Sequence, residues 1–595
     1  MERSQKCLIC TPLIAKTVNE MLFQLQLAKE SGADVAELRV DHITDFNAES
    51  DLPLLLKDRP LPVIVTPRAK WECKADSNEG YEGNEEARQD LLRKAYELGA
   101  DYIDVELKVA GEFVKKLKDS SIKSSTKIIV SNHNWELTPS QEEIDATIEQ
   151  MWATGGDIVK YVTTAKDITD VARVFHFLSE AKGRPTIGLA MGPTGMISRL
   201  LSPKFGGYLT FGALSKGQES APGQPTVQDL IEVYRVKSMD RETVVCGVVG
   251  KPVYHSKGPI LHNRGFAELN LNYVYVPFLV DDFAHFMSVY SESDFRGFSV
   301  TIPYKEDALR LCGDKVEFVA KGIGAVNTVI REKDGELKGY NTDCEGALSA
   351  IEDGLRHSGL ATNSESPLKD KLFVVIGAGG AGKALAYGAK ERHARVAVAN
   401  RNYERAKTLA ESVGAEAIEL EKLADFRPET GMILANSTSI GMEPEVTKSP
   451  ISKDALSAYS LVFDAVYTPK ETQLLKDAIE IGAVDVSGEE MFYRQAFAQF
   501  KYFTGVPAPE RAMRDALSSP PVAHKGTLPT RTPPPRTFPV SAQCSIGMFN
   551  GRGLRVSQFV CAYPFKNGWS FSHSAHFGML MERSQVPSGS FALRY

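Results

Sequence analysis

The chain has 595 residues, which is more than one hydrophobic core supports and predicts about two to four domains. Its net charge of -7 excludes a broad nucleic-acid-binding surface, and no apolar stretch reaches the roughly 18 residues needed to cross a bilayer. The eight cysteines are scattered, so we expect free thiols, and the Cys7–Cys10 spacing favours an apolar strand over a redox motif.

The first 215 residues alternate short apolar runs with segments that have helical periodicity. Such alternation over this length predicts an α/β fold, specifically a (β/α)₈ TIM barrel, with Val227–Val233 as its last helix. The eight predicted strands are Cys7–Cys10, Val35–Leu38, Val63–Thr66, Tyr102–Val105, Lys127–Val130, Ile158–Val162, Thr186–Ala190 and Leu209–Phe211.

A second unit begins near Thr243. An apolar strand at 371–376 runs directly into six small residues and then a helical segment, which is the context of a dinucleotide-binding Rossmann fold. The other predicted strands are Thr243–Val249, Tyr273–Pro277, Ser299–Pro303, Gly324–Val329, Arg395–Ala399, Met432–Asn436 and Leu461–Asp464.

Beyond Leu517 the chain becomes proline-rich and loses periodicity, so we expect a disordered C-terminal tail. Within it, Met581–Gln585 repeats the sequence of Met1–Gln5, which is typical of read-through into a neighbouring gene copy rather than of a domain.

Polar side chains gather at the carboxyl ends of the predicted barrel strands, where barrel enzymes keep their active sites. A buried lysine on the sixth strand and a histidine ending the fifth are costly unless they do chemistry, and desolvation is expected to make the lysine an amine nucleophile toward carbonyls. The candidate residues are Glu37, Arg39, Arg68, Glu106, His133, Lys160, Arg199, Ser215 and Gln224.

Three motifs in this half resemble type I 3-dehydroquinate dehydratase: the runs at 37–41, 131–134 and 222–224. The resemblance implies that Lys160 forms a Schiff base with the substrate ketone, while His133 removes the C2 proton and later protonates the leaving hydroxyl. Glu106 would orient His133, and Arg199 would hold the substrate carboxylate. The remaining candidates, Glu37, Arg39, Arg68, Ser215 and Gln224, would bind the substrate ring.

One loop departs from that family. Where the family carries Glu-Gly-Gly, this chain has Glu72 followed by a stretch without glycine up to Gly80. Losing glycines restricts the backbone conformations that the loop can adopt. A weakened dehydratase is therefore an alternative prediction.

The glycine-rich turn predicts where a dinucleotide binds, because it allows a pyrophosphate to approach the N-terminus of a helix. The next strand ends at Asn400 instead of an acidic residue, and two arginines follow, which favours NADP and leaves NAD as the alternative. The candidate cofactor-binding residues are Gly377, Ala378, Gly379, Gly380, Ala381, Gly382, Asn400, Arg401, Arg405, Ser437 and Thr438.

Motifs at 250–258, 301–305, 324–328, 341–343 and 490–495 resemble shikimate dehydrogenase. The resemblance implies that Lys305 and Asp343 form the catalytic pair, since a lysine beside a carboxylate can donate a proton to a forming alkoxide. The substrate-binding residues that it implies are Ser256, Gly258, Thr301, Asn327, Tyr467, Gln495 and Gln499.

Gly258 departs from the Ser-x-Ser that binds the substrate carboxylate in that family. The missing hydroxyl leaves room beside C1, where quinate carries an extra hydroxyl, and it removes a hydrogen bond to a charged group that is worth ~1.5–3 kcal/mol. Use of quinate besides or instead of shikimate is therefore an alternative, whereas the retained Thr301 is the shikimate-like choice.

The order of the two units resembles the plant bifunctional dehydratase–dehydrogenase family. It implies a barrel over 1–238, a substrate lobe over 239–345, a Rossmann unit over 346–517 with C-terminal helices returning to the substrate lobe, and a tail over 518–595. We expect a monomer that binds 3-dehydroquinate, 3-dehydroshikimate, shikimate and NADP, with no metal, nucleic acid or membrane partner. The location is cytoplasmic as the sequence stands, or plastid if a leader precedes it. A quinate dehydrogenase with a weakened dehydratase and a non-catalytic metabolite sensor are the alternatives.

Overall fold

The computed structural model describes residues 6–75, 77, 79–221, 223–360 and 366–518. The tail predicted over 518–595 lies outside these residues, apart from Ser518. Within the described part, no helix is both long and apolar enough to cross a membrane. Its six cysteines are free thiols, and Cys7 and Cys10 are buried in the first strand region.

The N-terminal half is a barrel of eight parallel strands in sequential order, as predicted. The eighth strand pairs with the first, and the Tyr208 amide donates to the Thr186 carbonyl at 2.8 Å, which joins the eighth strand to the seventh and closes the ring. The strands are β1 (Leu8–Leu13), β2 (Val35–Leu38), β3 (Val63–Val65), β4 (Tyr102–Glu106), β5 (Lys127–His133), β6 (Ile158–Thr164), β7 (Thr186–Met191) and β8 (Leu209–Phe211).

Helices surround the barrel, and their starts follow from side-chain caps. The Asn84 side chain accepts from the Ala87 amide, and Ser140 with Glu143 forms a capping box. The helices are α1 (Val18–Glu30), α2 (Ala48–Leu56), α3 (Glu85–Glu97), α4 (Leu107–Asp119), α5 (Gln141–Ala153), α6 (Asp170–Ser179) and α7 (Met196–Leu200), and a wide helical turn at Asp229–Val233 follows them.

The next unit is a five-stranded mixed sheet in the order β10-β9-β11-β12-β13, in which β12 runs antiparallel to both of its neighbours. Its strands are β9 (Val244–Gly250), β10 (Tyr273–Leu279), β11 (Phe295–Val300), β12 (Thr328–Arg331) and β13 (Leu337–Tyr340). Its helices are α8 (Gly258–Glu268), α9 (Phe283–Val289), α10 (Lys305–Cys312) and α11 (Phe318–Ile323).

The last unit is a six-stranded parallel sheet in the order β16-β15-β14-β17-β18-β19, the doubly wound arrangement of a Rossmann fold. Its strands are β14 (Leu372–Ile376), β15 (Arg395–Asn400), β16 (Glu416–Glu419), β17 (Met432–Asn436), β18 (Tyr459–Asp464) and β19 (Val484–Ser487). The helices are α12 (Thr342–His357), α13 (Gly380–Glu391), α14 (Tyr403–Val413), α15 (Gln473–Glu480), α16 (Gly488–Thr504) and α17 (Glu510–Ser518). Phe500 of α16 and Met513 of α17 are buried in one cluster with Phe266 of the substrate lobe.

At two places a turn or loop replaces part of a predicted strand. The strand expected at 299–303 stops at Val300, because Thr301 and the next residues form the turn that leads into α10. The segment at 324–327 is a loop, since Gly324 ends α11 in a left-handed conformation (φ 72°), and β12 starts only at Thr328.

The barrel and the substrate lobe share a packed contact. The Tyr290 hydroxyl donates to the Ile168 carbonyl at 2.7 Å, and Lys204 of the barrel pairs with Asp294 at 2.6 Å. Tyr290 is 3% exposed and its ring lies against Phe175 of α6. This contact joins the two units through a buried tyrosine and a lysine–aspartate pair.

Candidate active sites

A cavity opens at the carboxyl ends of the barrel strands. Seven of the nine predicted residues line it: Glu37, Arg39, Arg68, His133, Lys160, Arg199 and Gln224. Cys73, Glu79, Trp135 and Ser220 also line it and were not predicted.

Lys160 lies at the centre of this cavity, between two buried carboxylates. Its Nζ is 3.0 Å from Asp104 Oδ2 and 3.1 Å from Glu37 Oε1. Burial alone would lower the pKa of Lys160, but these two carboxylates outweigh it and hold the pKa above its ordinary value. The expectation that desolvation frees this amine of its proton is therefore wrong, because the two carboxylates favour the ammonium form.

His133 is oriented by Glu72, not by Glu106 as predicted. Glu72 Oε1 accepts from the His133 amide at 2.6 Å and lies 3.1 Å from the His133 Nδ1. Burial, followed by the nearby cations Arg68 and Lys160, lowers the pKa of His133 well below its usual value. Burial also raises the pKa of Glu72 to about 7. The imidazole is thus kept neutral beside a carboxyl group that titrates near neutral pH.

Glu106 has a different role, which is to hold two arginines in place. Its Oε1 accepts from Arg68 Nη1 at 2.9 Å, and its Oε2 lies 2.6 Å from Arg88 Nη1. Arg68 in turn pairs with Asp104 at 3.1 Å. Glu106 therefore fixes the charged network beneath Lys160, because its carboxylate is fully buried and paired with both guanidinium groups.

Arg199 and Gln224 line the cavity, and each has a side-chain nitrogen without a hydrogen-bond partner among the described residues. Arg199 is 2% exposed and its Nε has no partner, as is also true of Gln224 Nε2. Burial lowers the pKa of Arg199 to about 10. Since a buried guanidinium without a carboxylate is costly, the geometry fits an anionic ligand group here. Arg39, by contrast, is paired with Asp41 at 2.7 Å.

Ser215 does not reach this cavity. It is exposed and its hydroxyl donates to Gln218 at 2.7 Å. Ser220, five residues later, lines the cavity, and its amide donates to Gln224 Oε1 at 2.9 Å. The prediction of Ser215 as a contact is wrong by a few residues, because a loop without periodicity gives no orientation.

The altered loop after Trp71 still presents Glu72 to the site. The Trp135 indole N–H donates to the Glu72 carbonyl at 2.8 Å, which ties the loop to the end of β5. Gly80 has a φ of 105°, and a Cβ there would lie 2.7 Å from the Lys70 Cα, so the loop turns at this glycine.

In the second half, Lys305 and Asp343 meet as predicted. Lys305 starts α10 and Asp343 lies in the first turn of α12, and the Lys305 Nζ donates to Asp343 Oδ2. The pair is mostly buried, with 17% and 9% of the side chains exposed. A Cβ at Gly380 would lie 2.9 Å from the Lys305 Cδ, so the glycine turn passes directly against this lysine.

A buried polar network surrounds the pair. The Asn327 amide group donates to the Thr342 hydroxyl at 2.9 Å and accepts from the Thr328 hydroxyl. Gln499 donates to Thr328 at 3.0 Å and accepts from Ser299 at 2.7 Å. These bonds fix the side chains of Asn327 and Gln499 at the end of the substrate sheet.

The remaining predicted substrate residues lie on the segments around this network. Ser256 precedes α8 and its hydroxyl oxygen accepts from the Gly258 amide at 3.2 Å. Tyr467 stacks on Phe492 with ring centroids 4.8 Å apart, and Gln495 donates to the Phe492 carbonyl at 2.9 Å. Thr301 is half-buried in the turn before α10.

The turn between β14 and α13 fits a dinucleotide. A Cβ at Gly382 would lie 2.1 Å from the Gly377 carbonyl oxygen, so only glycine permits this close packing. Gly377 has a φ of 109°, while a Cβ at Gly379 would meet no described atom within 4 Å. The backbone at Gly379, directly before α13, is therefore open on this side, which suits the approach of a pyrophosphate to the helix N-terminus.

The predicted cofactor residues beyond the glycines border the same turn. The Arg405 guanidinium donates to the Ala378 carbonyl at 3.4 Å, and Arg401 is exposed at the end of β15. Asn400 donates to the Asn402 carbonyl at 2.9 Å. Ser437 Oγ donates to the Ile376 carbonyl at 2.9 Å, and Thr438 donates to Asn436 at 2.7 Å. The structure thus brings these residues to one edge of the sheet.

Four family models match successive parts of the chain. They are type I 3-dehydroquinase over residues 9–241, shikimate dehydrogenase substrate binding domain over 248–329, shikimate/quinate 5-dehydrogenase over 359–464, and shikimate 5'-dehydrogenase C-terminal domain over 488–517.

The curated relatives include one that spans both halves. The bifunctional 3-dehydroquinate dehydratase/shikimate dehydrogenase, chloroplastic, of Arabidopsis thaliana is 55% identical over 515 residues, 86% of this chain and 84% of that protein. A shikimate dehydrogenase (NADP(+)) of Caldanaerobacter subterraneus is 36% identical over 276 residues, 45% of this chain and 94% of that protein. The solved shikimate 5-dehydrogenase of Thermus thermophilus, in complex with NADP(H) and shikimate, is 33% identical and covers 46% of this chain and 98% of its own, with a TM-score of 0.40.

These matches favour the paired activities over the two alternatives, quinate dehydrogenase with a weakened dehydratase and a metabolite sensor. The four residues that a sensor would be expected to lose, Lys160, His133, Lys305 and Asp343, are all present. The chain belongs to the family of bifunctional 3-dehydroquinate dehydratase/shikimate dehydrogenases and is both a lyase and an oxidoreductase of the shikimate pathway.

Proposed function

We propose that Lys160 is the Schiff-base lysine of the dehydratase. The Lys160 ammonium passes one proton to a neighbouring carboxylate, and the amine adds to the ketone of 3-dehydroquinate. That proton leaves with the ketone oxygen as water, which forms a protonated imine that withdraws electrons from C2. The observation that supports this most directly is the placement of the Lys160 Nζ between Asp104 and Glu37 in a cavity with an unpaired Arg199. The two carboxylates stabilise a cation at this nitrogen, whether ammonium or iminium.

His133 acts as the base and acid of the same reaction. The neutral imidazole takes the C2 proton, and the electron pair expels the C1 hydroxyl, which leaves as water with a proton from His133. Glu72 supports the imidazolium that forms between these steps, because its carboxylate lies 3.1 Å from Nδ1. Arg199 binds the substrate carboxylate, and hydrolysis of the imine releases 3-dehydroshikimate and restores Lys160.

Both activities are tested together by giving the purified chain 3-dehydroquinate and NADPH. We expect NADPH consumption with formation of shikimate and transient 3-dehydroshikimate. If NADPH is consumed only when 3-dehydroshikimate is supplied, the dehydratase part of the proposal is wrong.

A Glu72→Gln variant is expected to lower the dehydratase kcat by about 10²-fold, because the amide cannot stabilise the imidazolium of His133. In the unmodified protein, kcat/KM should rise with pH through about 7, where Glu72 becomes ionised. The pH–rate profile of the variant should lack that limb. If the rise in kcat/KM near pH 7 persists in the variant, a group other than Glu72 causes it. An unchanged dehydrogenase rate shows that the variant is folded.

In the dehydrogenase, we propose that Lys305 and Asp343 control the proton that accompanies ketone reduction. NADPH, when bound at the glycine turn, supplies the hydride. Lys305 donates a proton to the alkoxide that forms at the former carbonyl, and Asp343 holds the Lys305 Nζ in position. The carboxylate and hydroxyls of the substrate would be bound by Ser256, Thr301, Asn327, Tyr467, Gln495 and Gln499.

We propose NADP as the preferred cofactor, with Arg401 and Arg405 binding its 2′-phosphate. Replacing both arginines by alanine is expected to raise the KM for NADP at least about tenfold and to leave the KM for NAD nearly unchanged, since each charge-assisted bond is worth ~1.5–3 kcal/mol. Steady-state kinetics with both cofactors measure this. Lys407→Ala, a change at an exposed residue on the helix that carries Arg405, is the matched control. An equal change for NAD and NADP would contradict the phosphate role.

The domain limits 1–238, 239–345 and 346–517 remain our proposal for the functional units. The substrates are small molecules, and joining consecutive steps in one chain raises the local concentration of 3-dehydroshikimate near the second site. We infer a plastid location from the chloroplastic relative. Import of a tagged full-length protein into isolated plastids tests it.

A further inference from the structure

The side chain missing at Gly258 leaves a space that a tyrosine borders. A Cβ built at Gly258 would lie 3.0 Å from Tyr275 Cε1 and 3.3 Å from the Tyr275 hydroxyl oxygen. The same point lies 3.2 Å from the Ser256 hydroxyl oxygen. The Tyr275 and Ser256 hydroxyls therefore flank the position where a side chain at residue 258 would begin.

Tyr275 is held rigidly in this position. It lies on β10, is 1% exposed, and stacks on His262 with ring centroids 4.3 Å apart and planes 14° from parallel. Its backbone amide donates to Asn263 Oδ1 at 2.7 Å. With its backbone and its ring both fixed, the phenol has little freedom to turn away from the space beside Gly258.

The surroundings suit a carboxylate. Ser256 and Gly258 stand at the start of α8, an 11-residue helix whose dipole favours a negative charge at this end. A phenol hydroxyl can donate to a carboxylate oxygen as a serine hydroxyl does. Because a Cβ at position 258 would press against the tyrosine ring, a side chain there and the present ring position compete for the same space.

We propose that Tyr275 is a further substrate-binding residue of the dehydrogenase, whose hydroxyl donates to the substrate carboxylate in place of the hydroxyl that Gly258 lacks. This inference rests on the proposed function of the Lys305–Asp343 site. It makes Tyr275 a determinant of substrate preference, because the phenol sets how much room remains beside C1.

The test compares Tyr275→Phe with the unmodified chain. We expect about a tenfold lower kcat/KM for shikimate oxidation, carried mainly by KM, from the loss of one hydrogen bond to a charged group. A cyclohexene triol that has the ring hydroxyls of shikimate but no carboxylate should show no such difference. Tyr273→Phe, on the same strand two residues earlier, is the matched control and should leave kcat/KM unchanged for both shikimate and the triol.

A second variant, Gly258→Ser, tests whether the Tyr275 hydroxyl replaces a hydroxyl at residue 258. In Gly258→Ser, the added side chain displaces the Tyr275 ring and supplies its own hydroxyl to the carboxylate, so adding Tyr275→Phe should lower kcat/KM for shikimate by less than about twofold. Quinate is measured alongside shikimate to follow the room beside C1. The inference is overturned if Tyr275→Phe leaves kcat/KM for shikimate unchanged, or if the carboxylate-free triol is affected equally. If Lys305→Ala retains full activity, the proposed function itself fails, which is a separate outcome.

Discussion

Replacing Lys160 by alanine is expected to lower the dehydratase kcat by at least about 10³-fold, because no other lysine is found among the described residues that line the cavity to form the imine that activates C2. Reduction of the dehydrogenase substrate should remain near the unmodified rate, since Lys160 lies in the barrel and Lys305 does that work. Separate assays with 3-dehydroquinate and 3-dehydroshikimate measure the two rates on the same preparation.

The alanine variant also changes stability, so a charge-preserving partner is needed. Without Lys160, the buried carboxylates of Asp104 and Glu37 lose a cation that lies 3.0 and 3.1 Å away, and breaking such a buried pair costs about 3–5 kcal/mol. Lys160→Arg retains a positive charge, but a guanidinium does not form an imine. We expect Lys160→Arg to fold better than Lys160→Ala and to be equally inactive.

Borohydride reduction in the presence of 3-dehydroquinate identifies the nucleophile directly. The unmodified chain should gain one covalent adduct, and peptide mapping should place it on Lys160. Lys160→Arg should gain none. An adduct of equal yield in that variant, mapped to another lysine, would remove Lys160 from the mechanism.

The sequence was sufficient for the barrel because its strands are buried on both faces and appear as largely apolar runs, such as Val63–Val65. It was not sufficient for β13, β16 and β19. Each of these is only four residues long and lies at the edge of its sheet, where polar residues such as Lys338 and Glu416 break the apolar pattern.

Within the site, the sequence identified residues that the structure brings together but not all of their neighbours. Lys160 and His133 stand out because a charge inside an apolar run is unusual, whereas Glu72 lies in a polar loop and gives no such signal. The pKa direction of Lys160 could not be predicted, because it depends on Asp104 and Glu37, which are 56 and 123 residues away in the chain. Such contacts between distant residues determine charge states, and the hydrophobic periodicity of the sequence does not reveal them.

Replacing Lys305 by alanine is expected to lower the dehydrogenase kcat by about 10²–10⁴-fold in both directions, the usual contribution of a positioned acid or base. The physical reason is that the Lys305 Nζ is held by Asp343 beside the glycine turn, whose Gly380 would bring a Cβ within 2.9 Å of the lysine chain. A proton donor at that place is therefore adjacent to the space where the cofactor and the substrate carbonyl would meet.

Asp343→Asn separates proton transfer from positioning. The amide still occupies the start of α12 but no longer holds a charged partner for Lys305, so kcat should fall while the KM for NADP stays within about twofold. Lys338→Ala breaks a comparable lysine–glutamate pair of 3.0 Å on the surface of the same lobe and should change neither constant. If Lys305→Ala raises only the substrate KM and leaves kcat intact, Lys305 binds substrate without acting as the acid. A loss in kcat with an unchanged substrate KM would support Lys305 as the proton donor, since the lost interaction then acts after the substrate has bound.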